Sequence, residues 1–485
     1  MSCSVAILGA GIGGAHTAYR LAPHYHQNLC IFERNEYVGG RTYDLAQDGS
    51  VPPAYSDERV SQMGALRFYE SQPVIKELAD ELEIPYYQYD YQTSLIKARG
   101  RWFNSVNEQC AESYMNLNCT DSSDGLNAAD QLWAKLLDEY QKDKSKLDSY
   151  ADLNAFCRDV LGDEATDYLR DSFRFRSDFG NVNARAYMKY FAQEWNVFGT
   201  IYYPFHGMSQ FTKRMIDLAT NRDQARLFLN EEVLRIDDRA QGSDGYSFWI
   251  ETSHYFIRAK RIVAAMDPPG WKNIRGSVAE DIKREANFQA IAPIKTVVIQ
   301  CSWSHRWWEE STLYGSNIDR AWTRQNCISF IEIISRHPEQ RDLNLTRTVY
   351  DDGLCVETWS NLIQRDTQID LINEITRGLQ SIFTDVQIDP PINVFAKVWP
   401  AAWHFQIGNS VFSNQRIAGW ARRPLNRFHS RQLSLVGEAF NLDRSGWTDG
   451  AVKSSLFALT SQFNHTARCY EGDGATGGQF CSTVD

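Results

Sequence analysis

The chain opens on a strand, a glycine turn, a helix and a second strand ending in a carboxylate, and no other stretch constrains its fold as much. Residues 5–8 are a short apolar run. Gly9-Ala10-Gly11-Ile12-Gly13-Gly14 follows, residues 15–21 have helical character, and Leu29–Phe32 is a second apolar run closed by Glu33, 19 residues past Gly14. In this G-x-G-x-x-G, Gly9 permits the tight turn, Gly11 lets backbone approach a pyrophosphate, and Gly14 lets the helix pack on the strand. The helix start offers free N–H groups and a positive dipole end to phosphate oxygens. The Glu33 carboxylate can accept hydrogen bonds from ribose hydroxyls. The alternative is a glycine-rich turn in another kind of α/β protein, but two strands, helix and acid in this order select a dinucleotide-binding βαβ unit.

Shortly after Glu33 comes Gly39-Gly40-Arg41. A second glycine pair brings more backbone to the same ligand, and an arginine can pair with phosphate. Nothing downstream resembles a second opening of this kind, and one such site favours a bound flavin working with an external oxidant such as oxygen. The 485 residues exceed one ordinary core, so two domains are expected. Lys and Arg total 50 against 61 Asp and Glu, a net charge of −11 without a basic run, which argues against a nucleic-acid partner. No run of 18 apolar residues is present, so no membrane span is expected, and no secretory signal is visible at residues 1–4. The ten cysteines lie far apart without a metal-like spacing, so no metal is expected. They point to reduced, buried thiols in a cytoplasmic protein.

Helical periodicity is expected over residues 71–84 and 209–218, and a helical region over residues 104–196. Strand patterns follow at 226–236, 246–252, 261–266, 295–303 and 434–440, with a helix from about residue 448 to 463. The Gly-rich tail, 471–485, is expected to be flexible.

Together, Gly9 to Gly14, Glu33 and Gly39-Gly40-Arg41 resemble the opening of the flavin amine oxidases, a superfamily that includes L-amino acid, monoamine and polyamine oxidases. Near the other end, Val436-Gly437-Glu438-Ala439-Phe440 and Ser445-Gly446-Trp447-Thr448-Asp449-Gly450-Ala451-Val452 resemble that family's closing flavin motif. Asn230 to Ile236 resembles its internal strand, where the backbone of Val233 would meet adenine. The resemblance implies an α/β fold: a Rossmann-type FAD domain assembled from discontinuous segments, with an inserted α+β substrate domain and a helical region. The expected segments are 1–70, 205–300 and 410–470 for FAD, and 71–204 and 301–409 for substrate binding and helices. It implies FAD contacts from Gly9, Gly11, Gly14, Glu33, Gly40, Arg41, Val233, Glu438, Trp447, Thr448 and Ala451, with Gly64, Ala65 and Leu66 running beside the cofactor.

Met63-Gly64-Ala65-Leu66-Arg67-Phe68 is similar to the G-x-x-R segment of L-amino acid oxidases, including the molluscan antimicrobial group, in which the arginine clamps the substrate carboxylate. Guanidinium presents two parallel donors to a carboxylate, so the chemistry suits Arg67. A flavin phosphate or a structural carboxylate is the alternative partner. Lys295 resembles the family lysine that holds a water near flavin N5; the alternative is a strand-start lysine with its amine in solvent. Trp447 holds the aromatic position of the closing motif, and Trp403 and Phe405 are candidates for the facing wall or for plain core. A tyrosine to complete a carboxylate clamp is not identifiable between Trp322 and Tyr350. Residues 399–408 contain no cysteine, which argues for non-covalent FAD. The resemblance implies oxidative deamination of an L-amino acid to keto acid, ammonia and hydrogen peroxide, with a monoamine or polyamine oxidase, or a non-catalytic FAD-binding module, as alternatives. The expected partners are a small amino acid or amine and molecular oxygen, with a homodimer as the assembly to test.

Overall fold

The first strand, Ser2–Leu8, lies at the centre of a seven-stranded sheet, because its residues from Val5 to Leu8 are wholly buried and can be covered on both faces. In this computed structural model the sheet order is Arg226–Phe228, Leu29–Phe32, Ser2–Leu8, Phe256–Ala264, Phe248–Thr252 and Val233–Asp238. Leu433–Leu435 adds to Phe256–Ala264. The first four strands and Leu433–Leu435 run parallel, whereas Phe248–Thr252 and Val233–Asp238 are antiparallel additions. Segments more than 400 residues apart in sequence thus share one sheet. The structure describes residues 1–89, 94–104, 128–172, 175–195, 200–239, 245–312, 319–337, 340–365, 367–410, 412–425, 432–441, 446–465, 467–470 and 480–483.

The helices Ile12–Tyr25 and Thr448–Phe463 pack together on one face of this sheet, joined by Ser209–Asp217. His16 and Thr17 of the opening helix both hydrogen-bond the Ser455 hydroxyl of the closing one, at 2.9 and 2.7 Å, inside an otherwise apolar contact.

The second seven-stranded sheet has the order Asn393–Gln406, Ile291–Ser302, Leu345–Asp352, Ile328–Ile333, Arg320–Gln325, Ser94–Ala98 and Arg101–Asn104. The boundary expected at residue 300 falls inside one of its strands. Cys355–Ile363 and Ile369–Ile382 cover its outer face, burying Val297, Ile299 and Cys301 against Trp359 and Ile375. A helical cluster around Trp133, built from Ala128–Lys142, Leu153–Leu161, Asp163–Ser172 and Ala184–Trp195, packs on the end of the strand Asn393–Gln406. Among the described residues, no helix is long and apolar enough to cross a membrane.

Three local expectations are corrected. Residues 226–236 are not one strand: Asn230 takes φ 57° and breaks the run, sending Arg226–Phe228 and Val233–Asp238 to opposite edges of the first sheet. Reduced cysteines were expected, but Cys3 is bonded to Cys30 and Cys327 to Cys355, because neighbouring elements bring residues 27 and 28 positions apart side by side. Within the tail, Phe480–Thr483 forms a strand against Ala467–Tyr470. Residues 105–127 of the expected helical region lie outside the described residues.

Candidate active site

A cavity of about 340 Å³ lies between the two sheets, reaching from Glu33 and Glu231 at one end to Tyr350 and Trp447 at the other. Its first end is made of backbone. Gly9 has φ +102°, where a Cβ would stand 2.6 Å from the Ala265 carbonyl oxygen, and a Cβ on Gly14 would stand 2.0 Å from the Gly9 carbonyl oxygen. Both glycines are therefore needed by the protein's own packing. Gly11 differs: a Cβ there would meet nothing closer than 4.0 Å, at Gly39 and Gly40, so its face toward the cavity stays open. Among the described residues, the helix that starts there has neither a side-chain cap nor an acidic residue in its first turn, which leaves its first N–H groups available to an anion. The Glu33 carboxylate lines the cavity while accepting from Ala10 N at 2.8 Å and from the Asn35 side chain at 2.7 Å.

Glu438 ties the two sheets together. One carboxylate oxygen accepts from the His404 and Gly446 backbone N–H groups at 2.8 and 3.0 Å; the other accepts from Arg41 at 2.8 Å and faces His404 Nδ1 at 3.0 Å. Burial alone would raise its pKa, but the neighbouring His404 and Arg41 charges take it down to about 2. Arg41 also donates to the Ala402 carbonyl. Both residues line the cavity, yet their principal partners are each other. The expected roles, Glu438 toward cofactor hydroxyls and Arg41 toward phosphate, place both residues at this cavity, and their pairing with each other is an added feature.

The far end is aromatic. Trp447, Trp403 and Tyr350 line it; Tyr69 meets Trp447 edge-on at 4.9 Å, and Phe175 stands between Trp403 at 5.0 Å and Tyr350 at 4.8 Å. Burial pushes the Tyr350 hydroxyl up to about 12, against the pull of the Arg347 and Arg67 charges. Trp399 donates to the Met63 carbonyl at 2.7 Å, fastening the strand Asn393–Gln406 to the segment that carries Gly64 and Ala65.

Gly9, Gly11, Glu33, Gly40, Arg41, Gly64, Ala65, Val233, Glu438, Trp447, Thr448, Ala451 and Trp403 all line this one cavity. Gly14 lies behind it as a packing residue. Four expected site residues are absent from this lining. Lys295 points to the outer face of the second sheet, more than half exposed, and pairs with Glu357 at 2.8 Å. Strand alternation is the reason: residues 297, 299 and 301 pack outward, so 295 does too. Phe405 packs on Tyr187 and Tyr190 in the helical cluster. Leu66 lies outside the lining, with its carbonyl accepting from Gln62. Arg67 is not among the residues lining this cavity; it donates to the Tyr203 hydroxyl at 3.2 Å and lies over the Tyr69 ring.

Sequence reasoning missed Tyr350, Thr296 and Lys397, all on the lining. Their strands have a readable two-residue period, but which parity faces inward depends on which sheet face the helices cover. Lys397 lies over Tyr43 at 4.6 Å and near the Tyr37 hydroxyl at 3.4 Å; burial, helped by the Arg34 charge, lowers its pKa.

A dinucleotide suits this lining. Gly11 leaves room for a close approach, the free helix start suits phosphate, and the buried hydroxyls of Thr296 and Thr448 lack a hydrogen-bond partner among the described residues. The flavin containing amine oxidoreductase family matches residues 12–458. The fold is similar to that of putrescine oxidase bound to putrescine, with 15% identity, a TM-score of 0.66, and coverage of 95% of this chain and 98% of that one. It is also similar to cyclohexylamine oxidase from Brevibacterium oxydans IH-35A, with 17% identity, a TM-score of 0.68, and coverage of 95% and 99%. No curated protein matches the sequence.

Proposed function

The chain belongs to the flavin containing amine oxidoreductase family, a flavoprotein family of FAD enzymes, and from that premise we propose that it oxidises a small amine with molecular oxygen as the final acceptor. The amine and oxygen give an imine and hydrogen peroxide; water then converts the imine to a carbonyl compound and ammonia. Bound FAD supplies the two-electron acceptor that the side chains lack. The free helix start at Ile12, with Gly11 and Gly40, would hold the pyrophosphate, and Glu33 the ribose. In this reading the cofactor is held without a covalent bond, because the strand Asn393–Gln406 beside it carries no cysteine.

The observation that carries the amine reading is the aromatic far end. Trp447, Trp403 and Tyr350 offer ring faces to an amine and its alkyl chain, and they exclude water where a C–H bond must break. Arg67 is not among the residues lining the cavity and donates to Tyr203. The two similar structures, of enzymes named for putrescine and cyclohexylamine, support the same direction. An α-amino acid is the second reading. It is favoured by Tyr350, which lines the cavity close enough to Arg67 to feel its charge, the pairing a carboxylate clamp requires.

Oxygen consumption with matched pairs, each an α-amino acid and the amine left after removing its carboxylate, decides between them. The amine reading expects the amine to be favoured at least tenfold in kcat/KM, with less than threefold change on Arg67→Ala. If the acid is favoured, and Arg67→Ala costs it about thirtyfold or more while sparing the amine, the second reading replaces the first.

A further inference from the structure

We propose, on the reading of this cavity as a flavin site, that the Thr296 hydroxyl rather than the Lys295 ammonium is the polar group that the second sheet presents to the isoalloxazine ring. The strand Ile291–Ser302 is the second in its sheet, between Asn393–Gln406 and Leu345–Asp352. Its alternate residues divide cleanly. Val297, Ile299 and Cys301 enter the apolar layer under Trp359 and Ile375, whereas Thr296 and Val298 line the cavity. Cross-strand neighbours share a face, so the register lays out the cavity floor in two rows. Val298 lies between Lys397 and Tyr350, and Thr296 between Trp399 and Asp352. Thr296 is therefore in the middle of the floor.

Thr296 is fully buried, and its hydroxyl has no hydrogen-bond partner among the described residues. An unpartnered buried hydroxyl is costly, and a β-branched side chain holds its χ1 stiffly, so the group stays aimed where it is. Its two flanking residues do not absorb it. Trp399 donates to Met63, and Asp352 accepts from the Arg176 and Ser177 backbone N–H groups, each at 2.9 Å. A hydroxyl offers one donor and two acceptor sites, so it can meet either a ring carbonyl or a ring N–H. On the opposite wall Thr448, at the start of the helix Thr448–Phe463, presents a second unpartnered hydroxyl to the same space. Two such groups, one from the second sheet and one from the start of a helix, define a slot for a flat molecule with polar edges.

The test compares wild type, Thr296→Val and Thr296→Ser. Each protein is stripped of flavin, titrated with FAD by fluorescence quenching, and melted with and without FAD. Thr296→Val keeps the shape and removes the hydroxyl. It is expected to bind FAD about three- to tenfold more weakly, to displace the visible flavin bands, and to melt at or above wild type without FAD. Thr296→Ser is expected to restore most of the affinity and the spectrum. The proposal is overturned if Thr296→Val matches wild type in FAD affinity and spectrum, or if it loses equal thermal stability with and without FAD. A change confined to the KM for amine also overturns it, by assigning the hydroxyl to substrate. Wild-type protein that takes up no FAD overturns the cofactor reading itself, and this assignment with it.

Discussion

The two ends of the cavity are built in opposite ways. The dinucleotide end uses backbone: Gly9, Gly11, Gly14, Gly39 and Gly40 come from one stretch of 32 residues, and the parts that would touch a ligand are N–H groups and empty space. The aromatic end uses side chains from Tyr69, Phe175, Tyr350, Trp403 and Trp447, spread over most of the chain. A backbone site tolerates no added atom but reads plainly in sequence, because glycine is the sole residue that fits. A side-chain site tolerates substitution, and each residue's role depends on which way its strand faces.

The strongest break in this comparison is the glycine pair. Gly14→Ala forces a Cβ to within 2.0 Å of the Gly9 carbonyl oxygen. Thermal unfolding of the flavin-free protein is expected to show a loss of at least about 3 kcal/mol, with little flavin retained. Gly11→Ala meets nothing closer than 4.0 Å. Its flavin-free stability is expected to stay within about 1 kcal/mol of wild type, while FAD affinity falls at least tenfold. Equal damage by both would mean that Gly11 also serves packing.

Next comes the joint between the ends. Glu438→Gln leaves Arg41 and His404 without their shared carboxylate and is expected to cost about 3 kcal/mol in urea unfolding. Its folded pKa of about 2 lies below the ordinary glutamate value of 4.5. The stability it contributes is therefore fully present above about pH 4.5 and is lost as pH falls through about 2. The difference between wild type and Glu438→Gln should narrow over that window; a constant difference would show that the carboxylate's charge is not what matters.

The smallest effect is expected at Lys295. Its exposed pair with Glu357 is worth little, so Lys295→Met should change stability by less than about 0.5 kcal/mol and leave reoxidation of the reduced protein by oxygen unchanged in stopped flow. A marked slowing would return Lys295 to the cavity and break the assignment of inward and outward parity on which the aromatic end rests.

Much of the backbone end was legible in residue order. Strand, glycines, helix and Glu33 lie within 33 residues, and a tight turn beside a helix start admits few other readings. The closing stretch from Val436 to Val452 was legible through its resemblance to the family's closing motif. The reading of Lys295 failed because a lysine in an apolar strand marks a special position without showing its side of the sheet. Phe405 failed because an inward ring and a core ring have the same chemistry. Tyr350 stood at the edge of the stretch searched for a clamp tyrosine, but nothing local to the strand Leu345–Asp352 shows that its side chain lines the cavity.

By itself, then, the sequence determined the βαβ opening and the backbone cradle, since these follow from local sterics and from an unbroken apolar strand; the return of the helix Thr448–Phe463 to that cradle was implied by the resemblance of residues 436–452 to the family's closing motif. Tertiary structure alone decided that Thr296 rather than Lys295 faces the cavity, that Arg67 meets the Tyr203 hydroxyl, and that Glu438 binds Arg41 and His404. The physical reason is that a strand offers two faces that are equivalent until something covers one of them. The helices Cys355–Ile363 and Ile369–Ile382, which follow these strands in the chain, cover the outer face of the second sheet and leave the other to the cavity.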